Sequence, residues 1–370
     1  MRDLFPLPNS NEVDINRLAS LFDQYTSSYK FLWFKAILDV IKIHNINIID
    51  MNDILFGMLQ EAYYPLIVFH LDFGSGDGMR KIFEQNSILK EKKSLFTGLG
   101  KEKVRHILEK GIANDMKRYV PTRLLVPFFR EHLRGCKESV KDERIRELTN
   151  IHFEEERTLY RFSVKDQIEI HPEWFKYFKK NMAVIEGWYF YKWISFLQSR
   201  NPNVPAIPYK IMNQERTSLK LQRGFWLEAA KNRPMVCIYS DSLLKEDEME
   251  LDHFLPWSFV AHDQLWNLIP VSKMLNIQKS DKIPHPRFIE KLAERHFQAL
   301  EDTRQVFKTK QWNDLAACYQ GDLRINLDGP IRLDAVQDAY QNTLSALMNL
   351  AINTGFEGNW EPAGLSIRHG

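Results

Sequence analysis

Between Glu250 and Pro284 the chain reads ELDHFLPWSFVAHDQLWNLIPVSKMLNIQKSDKIP, and few folds can house such a stretch. Its spacing fits a compact strand-loop-helix unit. Met235–Ser240 (MVCIYS) and Met249–Phe254 read as two short strands joined by a polar turn at Lys245–Glu248. Ser272 is the expected N-cap of a short helix from Lys273 to Lys279, closed off before Pro284. Asn276 and Lys279 stand three residues apart, so they share one face of that helix.

The polar residues of this unit suit phosphodiester hydrolysis assisted by one divalent cation. A phosphodiester is anionic and repels a nucleophile, so a cation must offset the charge that develops on it and on the departing oxygen. Mg²⁺ prefers oxygen ligands and keeps several waters, so two protein oxygens suffice. Asp252 offers a carboxylate and Asn276 an amide oxygen. Mg²⁺ or Mn²⁺ is therefore expected, one ion per site, with Zn²⁺ poorer among oxygens alone. A water must lose its proton, and His253, beside Asp252, is the candidate base. Lys279 can lie beside the cation and touch the substrate phosphate, with Lys273 as a second contact. A lone Asp-His pair is common in proteins; this one stands in register with WNLIP and NIQKSDKIP.

At these residues the chain resembles the HNH (ββα-metal) nucleases, in the variant that ends in Asn instead of a second His. The HNH domain of Cas9 nucleases carries the same order of DH, N, N and KSD. The resemblance implies a ββα-metal fold and a nuclease acting on DNA. It also implies a role for Asn267, which would brace the loop bearing the His as an orienting member of the catalytic set (His253, Asn267, Asn276) and not a ligand. The flanking segments SSYKFLWFKAILD, RLLVPFF, RNPNVPAIPYKI and CIYSDSLL are similar to bacterial HNH proteins with a helical N-terminal region. Proteins of this build occur in bacterial phage-defence systems, the HNH component of type II Zorya systems among them. Other proteins of such a system are then implied as partners. The chain has no room for the second nuclease domain or guide-binding lobes of Cas9, so guide-dependent targeting is not implied.

The rest of the chain reads as mainly α. Ile15–Tyr25, Tyr29–His44 and Met51–Tyr64 show apolar residues at helical spacing, and the aromatics of Tyr29–Phe34 are better placed in a core than on a base-stacking platform. Phe73–Gly78 (FGSGDG) lacks the spacing of a nucleotide-binding loop and reads as a turn. Tyr160–Ser163 and Gln167–His171 alternate as a small hairpin would, and Glu173–Gln198 reads as a long helix, interrupted at Gly187. A helix over Asn213–Lys231 leads into the HNH unit, and helices at Phe288–Phe307 and Leu333–Ile352 are expected to pack around it. The resulting fold is mainly α with a small α+β unit. Residues 1–200 form a helical N-terminal domain, 201–212 a proline-bearing linker, 213–355 the HNH domain and 356–370 a loosely held tail.

Charge narrows the partners. Net charge is only +2, yet Arg80–Arg146 holds 18 Lys/Arg against 9 Asp/Glu. Its dense part is Lys90, Lys92, Lys93, Lys101, Lys103 and Arg105, which could hold nucleic-acid phosphates through counterion release or merely solvate a helix face. Three scattered cysteines, with no CxxC pair, fit a reducing cytoplasm and do not suggest a cysteine-held zinc. The N-terminus has no apolar signal-peptide core, and Tyr63–Leu71 is too short to span a bilayer. The leading expectation is a DNA endonuclease or nickase acting against foreign DNA. Two alternatives stay open: an RNase or nuclease toxin, since nothing here reads a 2′-OH, and a non-catalytic nucleic-acid-binding or adaptor protein.

Overall fold

The computed structural model of the chain describes residues 6–86, 99–111, 114–163, 166–212 and 218–363. The fold is mainly α with two small antiparallel sheets, and it divides into two compact units, Met1–Pro202 and Asn203–Gly370.

The first unit is organised by three helices, Tyr29–His44, Met51–Tyr63 and Pro172–Arg200. The first is apolar on most of its circumference and is accordingly buried: Phe31, Trp33, Phe34, Ile37 and Leu38 have no exposed surface. Phe31 stacks on Phe22 with ring centroids 4.3 Å apart, so these aromatics belong to the core as their spacing suggested. Asp50 caps the second helix by accepting the Asn52 N–H at 2.7 Å. A Cβ at Gly57 would sit 2.8 Å from the Ala36 Cβ, so glycine permits the close approach of the first two helices. The FGSGDG segment is a turn, in which Asp77 accepts the Ser28 N–H at 2.7 Å and the Met79 N–H at 2.9 Å.

The hairpin of the first unit forms as β2 (Tyr160–Phe162) and β3 (Gln167–Ile170), and β1 (Ile48–Asp50) joins it in the order β1-β3-β2. The long helix departs from the expected break. Gly187 lies within regular helix, and the non-helical residue is Asn181, whose Nδ2 donates to the Tyr177 carbonyl at 3.0 Å. Such a side chain competes with the backbone for its own helix.

The second unit is built on a hairpin of β4 (Met249–His253) and β5 (Leu268–Ser272), with Asp252 opposite Ile269. This corrects the expected strand at Met235–Ser240. That segment holds only an isolated bridge, Val236 to Leu243, and its Cys237 carbonyl accepts locally from the Asp241 N–H at 2.9 Å. Cys237, Ile238 and Tyr239 are all buried, so beyond that one bridge the apolar run feeds the core from a turn instead of extending as a strand. The true partner, LIPVS, contains Pro270, which a two-stranded ribbon accommodates because each strand is an edge.

Three helices, Phe288–Thr303, Thr309–Asp322 and Leu333–Asn353, enclose the hairpin. Polar tips of buried aromatics, one on the helix Lys220–Ala230 and one on the last of the three, hold the backbone of β5 and of the turn before it. Trp226 Nε1 donates to the Leu268 carbonyl at 3.1 Å, and Tyr340 Oη to the Trp266 carbonyl at 3.0 Å. Ile207–Ile211, in the stretch read as a linker, is a short helix with Ile207 and Lys210 buried. The tail also departs from expectation as far as residue 363. Trp360 packs edge-on against Tyr239 at 5.1 Å and Phe356 against Phe259 at 5.7 Å. The Trp360 N–H donates to the Ile283 carbonyl at 2.9 Å. Burial of two aromatics outweighs the looseness that Gly and Pro suggest.

Candidate functional site

Strand alternation sorts the residues of β4 onto two faces, Glu250 and Asp252 on one, His253 on the other. The helix Lys273–Lys279 follows β5 directly. Ser272 caps it, accepting the Leu275 N–H at 3.4 Å. The helix returns along the hairpin so that two of its residues meet the first face of β4. Asn276 Nδ2 donates to Glu250 Oε2 at 2.8 Å, and Lys279 Nζ donates to Asp252 Oδ1 at 3.0 Å. Ser280 ends the helix at once, with φ 53° and ψ −122°, a conformation costly to a residue with a Cβ.

Asp252 is almost fully enclosed, at 3% exposure, and each of its oxygens has a partner. Lys279 takes one, and Tyr239 donates to the other at 2.9 Å. Burial, with the charge of Asp252 beside it, pushes the Tyr239 hydroxyl well above its ordinary value, so it stays a donor. Lys279 has no exposed surface and also donates to the His253 carbonyl at 2.7 Å. The lysine read from the sequence as a phosphate contact thus lies inside the wall of the site. Lys273 is exposed on the same helix.

His253 ends β4, on the other face from Asp252. Its Nε2 lies 2.7 Å from Asp263 Oδ1, and both side chains are largely covered. A carboxylate beside Nε2 favours the tautomer with its proton on that nitrogen. Asn267 is fully buried and clamps both backbone polar groups of Leu255. Its Oδ1 accepts the Leu255 N–H at 2.8 Å and its Nδ2 donates to the Leu255 carbonyl at 2.9 Å. The Phe254 N–H donates to the Asn267 carbonyl at 2.8 Å, so the chain on the far side of His253 is tied to the start of β5.

Asp252, Glu250 and Asn276 each carry an oxygen donor, the kind of ligand a hard divalent cation takes. A carboxylate oxygen has more than one acceptor site, so the bonds to Lys279 and Tyr239 leave Asp252 able to bind further. Glu250, Asp263 and Tyr239 escaped the sequence reading. Only Glu250 left a trace there, as a second acid two residues before Asp252 on one strand face; Tyr239 and Asp263 arrive through folding of separate loops.

The basic residues singled out from the sequence lie in the first unit. Lys90, Lys92 and Lys93 fall outside the described residues. Lys103 lies on the helix Leu99–Glu109. Lys101 is exposed, with Nζ 5.9 Å from the Phe56 ring centre. Arg105 pairs with Asp53 at 3.2 Å and Glu102 at 3.6 Å, so part of this segment's charge is balanced locally. Among the described residues no helix is long and apolar enough to cross a membrane.

Residues 237–285, which contain the hairpin, the clamp and the short helix, match the family model described as HNH endonuclease. No curated protein and no solved structure matches the chain.

Proposed function

We propose that this HNH endonuclease unit hydrolyses phosphodiester bonds of DNA with one Mg²⁺ or Mn²⁺ ion, cutting one strand per encounter. The observation that carries the reading is the pairing of His253 with Asp263 at 2.7 Å beside the buried Asp252. A base needs a fixed tautomer, an available nitrogen and a place next to the substrate's charge, and the contact with Asp263 supports the first of these. Asp252 and Asn276, with Glu250 next to Asn276, would hold the cation. When bound, it offsets the phosphate charge and stabilises the departing oxygen.

Nδ1 of His253 takes a proton from the attacking water, whose oxygen adds to phosphorus as the bond to the departing sugar oxygen breaks. Asp263 steadies the imidazolium that forms. Asn267 keeps the loop beyond His253 from drifting, and Lys279 holds the Asp252 carboxylate while lending positive charge beneath the phosphate. One such site makes one cut, so a nick is the elementary product. Lys273, Lys101, Lys103 and Arg105, with Lys90, Lys92 and Lys93, add sequence-independent phosphate contacts. Defence against foreign DNA, with other proteins of a defence system as partners, rests on the resemblance of the flanking segments.

The test is incubation of the full chain with supercoiled plasmid and Mg²⁺, with and without chelator. Relaxed circles should appear, vanish with chelator, and fall by roughly 100-fold or more in His253→Ala, the range for loss of a general base. That variant should keep its fold and its DNA binding. Near-native nicking by it would remove His253 from the mechanism. Cleavage of RNA with plasmid left intact would move the substrate to RNA, and no cleavage of either would leave a binding protein.

A further inference from the structure

We propose a second metal site, for Zn²⁺, in the first unit, formed by His132, His152 and Glu156. These three residues bring one ligand atom each to within 4.8 Å of one another. Their places in the chain explain the convergence. His132 lies in the turn that follows the short helix Val126–Phe129. His152 caps the C-terminus of the helix Glu138–Ile151, its N–H donating to the Leu148 carbonyl at 2.9 Å. One further turn, closed by the Glu156 N–H donating to the His152 carbonyl at 3.0 Å, sets Glu156 beside the imidazole of His152.

The distances argue for an ion and against simple pairing. Glu156 Oε1 lies 3.7 Å from His132 Nε2 and 3.6 Å from His152 Nδ1. Both are too long for hydrogen bonds. The His253–Asp263 pair, at 2.7 Å, shows what a bonded histidine and carboxylate look like in this same protein. Donors about 2.0–2.1 Å from one tetrahedral Zn²⁺ stand about 3.3–3.4 Å apart, so Glu156 needs to close on each imidazole by only a few tenths of an ångström, while the two imidazole nitrogens, within 4.8 Å, draw together by side-chain rotation. The second oxygen of Glu156 is already engaged, 3.2 Å from Arg17 Nη1, which turns Oε1 toward the two rings. Outer partners of this kind orient metal ligands.

Two imidazoles and one carboxylate select Zn²⁺ over Mg²⁺, which prefers oxygen alone. Three protein ligands leave a fourth position, open to water because His132 is 38% exposed. The bound ion would tie the turn at His132 to the end of the helix before His152.

The experiment is calorimetric titration of Zn²⁺ into chelator-treated full chain, beside the double variant His132→Ala/His152→Ala. The parent should bind one equivalent that the double variant lacks, and that equivalent should persist with excess Mg²⁺ present. Zn²⁺ should also raise the thermal midpoint of the parent and leave the double variant's unchanged. Mg²⁺-dependent nicking should be equal in both, which separates this site from the HNH unit. Should the double variant fail to fold, Glu156→Gln keeps the side-chain shape and should show the same loss. Equal Zn²⁺ stoichiometry in parent and folded variants, or no Zn²⁺ bound by the parent, would overturn the proposal and leave an ion-pair cluster.

Discussion

Lys279 and Asp252 pair at 3.0 Å with almost none of either side chain open to solvent, while Arg105 and Asp53 pair at 3.2 Å with 48% and 45% exposed. The separations are nearly the same and the physics is not. Water screens the exposed pair, and the long arginine side chain loses entropy in holding it. The buried pair has already lost the hydration of two ions, so each partner depends on the other and on Tyr239 and the His253 carbonyl. Such a pair persists in the interior only because further hydrogen bonds satisfy both partners, which a surface pair does not require.

That contrast can be broken most severely at Lys279. Lys279→Ala leaves Asp252 buried without its cation, and thermal or denaturant unfolding should show the unit destabilised by about 3–5 kcal/mol. Asp252→Asn with Lys279→Met together should recover much of that stability, because neither member is then an unpaired charge, yet remain inactive. If Lys279→Ala alone cost no more than a surface substitution, the buried pair would have no special standing.

A second, smaller effect concerns a buried group with no ion partner. His296 is fully buried, bonded through Nδ1 to Tyr319 Oη at 2.8 Å and stacked on Tyr340. Burial pushes it down to about 3, below the value of about 6.5 expected once unfolded. The folded chain therefore binds fewer protons than the unfolded chain between those values. The contribution is whole above about pH 6.5 and is lost as pH falls toward 3, at up to about 1.4 kcal/mol per pH unit. Urea midpoints from pH 7 to pH 5 should drop more steeply for the parent than for His296→Gln; parallel curves would show that His296 does not control this range.

The smallest effect belongs to the surface pair. Arg105→Ala should change stability by less than about 1 kcal/mol, and less still at high salt. A loss as large as that of Lys279→Ala would erase the distinction drawn between the two regions.

Much of the site was legible because its signals are local. Ser272 as cap, the helix Lys273–Lys279 and the strand at Met249 were readable from neighbouring residues alone. The partner strand Leu268–Ser272 was missed, since only its pairing with β4 reveals it. The turn at Met235–Ser240 was misread because an apolar run looks alike whether it pairs as a strand or plugs a core. The tail was misread for a related reason, as Trp360 meets Tyr239 across more than a hundred residues of chain.

The sequence by itself determined the chemistry available: an acid next to a histidine, amides at set distances, and a lysine one helical step beyond Asn276. Those depend on residue type and short spacing. Only the tertiary structure decided that Tyr239 and Lys279 share Asp252, that Asp263 holds His253, and that His132, His152 and Glu156 converge. Each such contact joins separate segments of chain, and the packing that brings them together is set by buried surface, which carries no local signature in the residues that meet.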